Sequence, residues 1–332
     1  MNILHIGKPG NMERFSAPDS LLYSADAIDM PSRLTDEEYA SAAPDTEHII
    51  VDAITPVSAE LIAAFPRLKS IHSEGVAYNR IDVEAASGRG ICVCHSRGMN
   101  ASAVAEQTVL LMSGMLKNIV LNDAAVRNGS QISVKESYMQ RGDLMELADC
   151  SVGLVGFGNI AEATAHLLKA YGVSEIFYYK RHRLSSEREA ALGISFRPLS
   201  ELLSVSDIVS LHCPVTRETE KMADAAFFGK MKDGAYFVNT ARGELVDDTA
   251  LADALRSGKL KMAGLDTLNN EPVTVDNYLL SQSDIRDRLL LSPHIGGITA
   301  SSFRRSYRMI WEDIKTVSEG GIPARAVNLG SL

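Results

Sequence analysis

Gly153-Leu154-Val155-Gly156-Phe157-Gly158-Asn159-Ile160-Ala161 is the stretch that decides the fold. Its first residues are apolar and partly β-branched, as in a buried strand. Two glycines one residue apart then make a tight turn, and Ala161 stands where a helix begins. Gly156 permits the turn, and Gly158 lets the backbone approach a pyrophosphate. Ala161 is small enough for the helix to pack on the strand. The first helical turn offers free N–H groups and the positive end of a helix dipole to phosphates. Glycine-rich turns are common, so the surrounding sequence has to carry the rest of the reading.

Downstream, strand-like runs alternate with helical ones. Ser151–Val155, Glu175–Tyr179, Asp207–Leu211, Ala235–Val238, Met262–Leu265 and Leu289–Leu291 read as strands, with Ile160–Tyr171 and Asp248–Leu255 among the helices. The alternation predicts parallel strands with crossover helices on both faces. Gly156, Lys180, His212, Thr240, Arg242, Asp266 and His294 all fall just past a strand's carboxyl end, the edge where open α/β sheets bind ligands. Asn2–Ile6, His48–Val51, Leu68–His72 and Ile91–Cys94 predict a second, smaller α/β domain. A single long helix is expected from Asn100 to about Arg127, with Val104, Thr108, Leu111 and Met115 as its apolar stripe. A last helix over Thr299–Glu319 is expected to return to the first domain. The division is then 1–99 with 299–332 for substrate, discontinuous, and 100–298 for a dinucleotide.

The chain has 332 residues and a formal charge of −9, which argues against a nucleic-acid partner. The N-terminus reads as a strand with no basic leader, and no apolar run reaches the ~18 residues of a membrane span. Cys92, Cys94, Cys150 and Cys213 show no metal-ligand spacing and read as reduced core thiols of a cytoplasmic protein.

Three further stretches each deliver one reactive side chain: Asn239-Thr240-Ala241-Arg242-Gly243, Asn270-Glu271-Pro272 and Ser292-Pro293-His294-Ile295-Gly296-Gly297. An Arg can grip a carboxylate with its planar fork and still touch a keto oxygen. A His can deliver a proton near neutrality, and a neighbouring Glu favours its protonated form. Beside a dinucleotide turn, these are the parts for reducing a 2-keto acid. Alone, each residue reads as an ordinary loop or surface group rather than a catalytic one.

In order along almost the whole chain, the pieces resemble the D-isomer-specific 2-hydroxyacid dehydrogenases. They are Ser73–Asp82, Gly98–Glu106, the glycine turn, Ser210-Leu211-His212-Cys213-Pro214 with Thr219, Asn239–Gly243, Ala263–Asp266, Glu271-Pro272, Ser292–Gly297 and Gly320-Gly321-Ile322-Pro323 with Val327-Asn328. The resemblance implies a flavodoxin-like and a Rossmann-like domain, a site in the cleft between them, and a homodimer. It implies reduction of a small 2-keto acid to the D-2-hydroxy acid, or the reverse, with NAD(P)H. Arg242 becomes the substrate clamp, His294 the acid/base and Glu271 its modulator, while Gly75 and Val76 bind the substrate carboxylate. The implied cofactor contacts are Val104, Gly156, Phe157, Gly158, Asn159, Ile160, Lys180, Arg181, His212, Cys213, Pro214, Thr219, Thr240, Ala241, Arg242, Asp266, His294, Gly296 and Gly297. The chain departs from the family at Ala77, where a second glycine is common, and at Glu74, where an acid is not. Glu74 is expected to point outward, since it would otherwise repel a carboxylate.

Other functions occur on the same fold. Formate-type dehydrogenases pair the His with Gln, and Glu271 argues against them. Phosphite dehydrogenases keep the Glu and fit the trio. The C-terminal-binding corepressors share fold and trio but often carry a long tail. After the last family motif no room is expected for an added regulatory domain. For the cofactor, an NAD-selective site wants an acid about 20 residues past the glycine turn. Here the strand Ile176-Phe177-Tyr178-Tyr179 is followed by Lys180-Arg181-His182-Arg183, and no carboxylate appears before Glu187. NADP(H) is expected over NAD(H), with a solvated basic loop as the plain alternative.

Overall fold

Two parallel sheets are built from the strand runs. The computed structural model describes residues 1–329. The chain divides into two compact units, Met1–Asn100 with the segment from Ile298 onward, and Ala101–Gly297. The first unit holds β1 (Asn2–Gly7), β2 (Asp26–Pro31), β3 (His48–Val51), β4 (Ser70–Ser73) and β5 (Cys92–His95), in the order β2-β1-β3-β4-β5. The second holds β6 (Val152–Val155), β7 (Ile176–Tyr179), β8 (Ser195–Phe196), β9 (Ile208–Leu211), β10 (Ala235–Asn239), β11 (Leu260–Leu265) and β12 (Leu289–Leu291). Their order is β12-β11-β10-β9-β6-β7-β8. These are the flavodoxin-like and Rossmann doubly wound orders, and in the second sheet the winding reverses between β6 and β9.

The strands missing from the sequence reading have physical reasons to be quiet. β2 is an edge strand of the first sheet, half exposed, with Asp26, Asp29 and a terminal Pro31. An edge needs neither continuous apolarity nor a second hydrogen-bonding partner. β8, at the far edge of the second sheet, is only two residues long.

The expected single helix over 100–127 is two helices, Ala101–Leu116 and Ile119–Arg127, bent by 57°. Asn118 carries the break in the left-handed region, at φ 50°. The apolar stripe explains it. Val104, Thr108, Leu111 and Met115 are buried, whereas no residue of Ile119–Arg127 is. Beyond Leu116 no core remains to hold the helix straight, and Asn tolerates the αL turn. A third helix, Gln131–Arg141, also buries nothing. Among the described residues no single helix is long and apolar enough to cross a membrane.

In the first unit the last helix, Ala300–Ser318, packs on one face of the five-stranded sheet, with Thr299 capping its start. Alternation sorts the strands: Leu4, Ile6, Ile49 and Val51 face one core, and Ile3 and Ile50 face the helix residues Tyr307, Ile310, Trp311 and Ile314. The side toward the last helix is unusually polar. There the buried His72 bonds Asp313 at 2.9 Å, and the thiols of Cys92 and Cys94 lie 3.6 Å apart.

Candidate functional site

His294 and Glu271 are brought together in the second unit. The Nδ1 of His294 lies 2.6 Å from Oε2 of Glu271, and each side chain is partly open to solvent. Both flank left-handed backbone: His294 itself has φ 54° and Asn270 has φ 59°. Such residues persist only where their surroundings hold them. For the His294 loop the holder is Asp266, just past β11 and 2% exposed. Its Oδ1 accepts from the Ser292 hydroxyl at 2.5 Å and the Ile295 amide at 3.0 Å, and its Oδ2 accepts from the Gly296 amide at 2.9 Å. Gln107 adds a bond to Ser292 at 2.9 Å. A Cβ at Gly296 would sit 2.9 Å from the same carboxylate, so glycine is required for this approach. The other oxygen of Glu271 is also fixed, accepting from the Leu268 amide at 3.0 Å.

Arg242 stands in the adjoining loop after β10. Buried Asn239 folds that loop: its Oδ1 accepts from the Ala241 amide at 3.0 Å and its Nδ2 donates to the Arg242 carbonyl at 2.7 Å. Gly243 lets the loop press against the Glu271 loop, because a Cβ there would lie 2.1 Å from the Leu268 carbonyl group. The guanidinium is exposed, donates from Nη1 to the Ala241 carbonyl at 2.7 Å, and has no carboxylate partner among the described residues. An Arg held by its own backbone with its charge unpaired is free to bind an anion. Thr240 is buried, its hydroxyl 2.9 Å from that of Thr108.

The glycine turn behaves as its chemistry requires. Gly156 has φ 91°, and a Cβ on it would meet the His212–Cys213 backbone at 2.7 Å. A Cβ at Gly158 would meet nothing, which leaves the surface open to a close ligand. Gly158 is the N-cap of the helix Asn159–Ala170, and no side chain caps that end. Its first amides are therefore available to phosphate oxygens. The Phe157 ring is buried and packs on Tyr178 at 4.9 Å, so its backbone is the part left for a ligand. Val104 is likewise buried. In the loop after β9, burial pushes the His212 imidazole down to about 4 and the Cys213 thiol up to about 11, so both are neutral near pH 7. Thr219 folds this loop back, donating to the Pro214 carbonyl at 2.7 Å.

The family model for the D-isomer specific 2-hydroxyacid dehydrogenase NAD binding domain matches residues 109–296, more than half of the chain. The chain belongs to this family. It is 33% identical over 302 residues to D-3-phosphoglycerate dehydrogenase of Mycobacterium leprae, covering 91% of this chain and 54% of the relative. It thus spans about half the length of that relative. It is 35% identical over 298 residues to a glyoxylate reductase of Thermofilum pendens, covering 90% and 85%. Among solved structures, D-lactate dehydrogenase from Aquifex aeolicus, complexed with NAD and lactic acid, superposes with a TM-score of 0.77 at 26% identity, covering 99% of this chain and all of the other.

Two further clusters lie in the loops after β7 and β4. After β7, Arg183 forms a two-armed pair with Glu189, both bonds at 2.8 Å, and the Tyr178 hydroxyl donates to the same carboxylate at 2.6 Å. Glu189 is therefore committed. Lys180 and Arg181 have no carboxylate within ion-pair distance among the described residues.

In the first unit, the Gly75 amide, expected with Val76 at the carboxylate, donates instead to the Ser73 hydroxyl at 3.3 Å, while the Val76 and Ala77 amides have no acceptor among the described residues. Ala77 has no left-handed backbone, so the usual second glycine is dispensable here. Glu74 overturns its expectation: it points inward, 5% exposed, bonded to His5 and Tyr307. Neither partner carries a family motif. A signal was nevertheless present, since His5 sits among the apolar Ile3, Leu4 and Ile6 of a buried strand.

Proposed function

We propose that the protein reduces a small 2-keto acid to its D-2-hydroxy acid, and catalyses the reverse, with His294 and Glu271 as acid–base pair and Arg242 as carboxylate clamp. The observation that carries this reading is the 2.6 Å His294–Glu271 contact in loops locked against the Arg242 turn. The second unit is the dinucleotide-binding domain and the first the substrate-binding domain. Gly156, Gly158, Asn159 and Ile160 would hold the cofactor's phosphates through backbone groups. The loops at His212–Thr219, Thr240–Arg242 and Asp266 would line the rest of its path. Reduced nicotinamide, when bound, supplies the hydride. The protein supplies the rest: Arg242 orients and polarises the keto acid, and His294 gives a proton to the oxygen that becomes the hydroxyl. The Val76 and Ala77 amides take the substrate carboxylate. NAD(P)H consumption with glyoxylate, hydroxypyruvate, pyruvate, branched-chain and aromatic keto acids tests the reading. No turnover with any of them would reject it.

NADPH is the preferred donor in this proposal. Lys180 stands in the slot where an acid would bond the ribose hydroxyls, and it and Arg181 are free to pair with a 2′-phosphate. We expect kcat/KM to favour NADPH by at least ~10-fold, about 1.4 kcal/mol. Lys180→Asp with Arg181→Ala should shrink or reverse the preference. A parent enzyme that favours NADH would overturn this assignment.

The homodimer proposed here forms through the arm from Ala101 to about residue 148. That arm exposes Leu110, Ile119, Val120, Val126, Ile132 and Met139, and its two outer helices bury nothing of their own. A concentration of large apolar groups on one segment is what a partner surface covers. Light scattering at micromolar concentration should give twice the chain mass, and a monomer mass would contradict the proposal. Reduced buried thiols agree with a cytoplasmic setting.

A further inference from the structure

The buried carboxylate of Glu74 ties the loop after β4 to two distant elements. Its Oε1 accepts from Nε2 of His5 on β1, at 3.1 Å, and from the Tyr307 hydroxyl on the last helix. Nδ1 of His5 lies 2.5 Å from Oδ1 of Asp29 on β2, whose Oδ2 accepts from the Gly10 amide at 2.6 Å. Two carboxylates facing both nitrogens of one imidazole are served only when both nitrogens carry protons, so His5 is an imidazolium. Burial opposes that charge, but Glu74 and Asp29 outweigh it and raise the His5 titration above its ordinary value. Burial, with Glu74 alongside, raises Tyr307 too and keeps it a donor. A carboxylate this deep is tolerated because each neighbour donates to it.

The loop's own backbone is fixed from the same side. The Glu74 carbonyl accepts from the Ser306 hydroxyl at 2.5 Å, that of Gly75 from the Ser96 amide at 2.9 Å, that of Val76 from Nδ1 of His95 at 2.7 Å, and that of Ala77 from the Ser73 hydroxyl at 2.6 Å. Four successive carbonyls are thus satisfied, while the Val76 and Ala77 amides have no acceptor among the described residues. The Glu74 and Gly75 amides are also taken, by the Val51 carbonyl and the Ser73 hydroxyl, so the two adjacent idle donors of Val76 and Ala77 are what the loop offers an anion.

We propose that Glu74, gripped by His5 and Tyr307, is a positioning residue that fixes the 75–77 backbone so that the Val76 and Ala77 amides form the seat of the substrate carboxylate. The proposal rests on the 2-keto acid reading above and adds to it the device that shapes the seat. The acid does not repel the substrate because its charge is spent on His5 and Tyr307. Glu74 touches no substrate; it acts through the backbone it holds.

The test uses Glu74→Gln and the milder Tyr307→Phe in the full chain. With the best keto acid of the panel, Glu74→Gln should raise KM by at least ~10-fold while kcat changes by less than about 3-fold, the signature of lost ground-state binding. Tyr307→Phe should move KM the same way by less. NAD(P)H affinity should stay at the parent value, and amide exchange at residues 75–78 should quicken without change over residues 152–170. Parent-like KM and parent-like loop exchange in both variants would overturn the proposal. So would a loss shared equally by kcat and cofactor binding in both, which general destabilisation would give. If no keto acid is turned over, the reaction reading fails but this inference is still decided, with oxamate as the carboxylate probe. Oxamate protection of the 75–78 amides in the parent and not in Glu74→Gln supports it. Equal protection in both, or in neither, overturns it.

Discussion

His294→Gln should lower kcat for keto-acid reduction by ~100-fold or more, the usual contribution of a positioned general acid, while NAD(P)H still binds. The residue is chosen because its Nδ1 is already taken by Glu271 at 2.6 Å. Only Nε2 remains to face a reacting oxygen. A glutamine preserves polarity and approximate size but has no proton to transfer at neutral pH. The phosphate-binding turn around Gly156 and Gly158 is built from other residues, so cofactor titration should follow the parent curve and report an intact fold. The companion variant Glu271→Gln separates the two halves of the pair. A carboxylate beside an imidazole favours the imidazolium, the form that donates in reduction. Removing that charge takes away the partner that holds the imidazole by Nδ1 at 2.6 Å, so kcat for reduction should fall while NAD(P)H binding stays at the parent value. Near-parent turnover in His294→Gln would end the acid–base assignment. Parent-like kcat in Glu271→Gln would remove Glu271 from it.

Parts of this site were legible in the sequence because they depend on local chemistry. β6 and β9 are buried along their whole length and read as apolar runs, and the glycine turn between strand and helix is a local motif. Arg242, Glu271 and His294 stood out through family resemblance. Their meeting was not readable from spacing, because 23 residues separate Glu271 from His294. What remained hidden is what the rest of the chain does to a residue. Gly243 looks like any loop glycine until Leu268 is packed against it. Asp266 reads as a cofactor contact, and nothing in its spacing shows that its two oxygens also accept from residues 292–296. Glu74 was expected to face water because an acid beside an anion site should repel the anion. That argument is sound for an unpaired carboxylate. It fails here because the neutralising partners come from β1 and from Tyr307, 233 residues away. The bend at Asn118 is of the same kind: helical spacing continues through it, and only the loss of core beneath Leu116 lets the chain turn.

Arg242→Lys keeps the charge and should still damage both KM and kcat. The guanidinium of Arg242 is braced by its bond to the Ala241 carbonyl, which sets the plane of the fork. Two parallel donors can then meet a carboxylate, or one can meet it while another reaches the keto oxygen. Lysine brings a single ammonium on a flexible stem and cannot do both at once. A charge-assisted hydrogen bond is worth about 1.5–3 kcal/mol, so losing one of them corresponds to a fall of about 10- to 150-fold in kcat/KM. The division of that loss is informative. A fork that only binds the carboxylate would leave kcat untouched and raise KM alone. A fork that also polarises the carbonyl contributes more as negative charge grows on the oxygen, and its loss must appear in kcat as well. The fold gives the variant no reason to misassemble, because Arg242 is exposed and the loop is pinned by Asn239 and Gly243 rather than by the guanidinium. Steady-state kinetics on Arg242→Lys, with its melting temperature as control, therefore read the chemistry directly. Parent-like KM and kcat in a stably folded variant would show that some other cation holds the substrate.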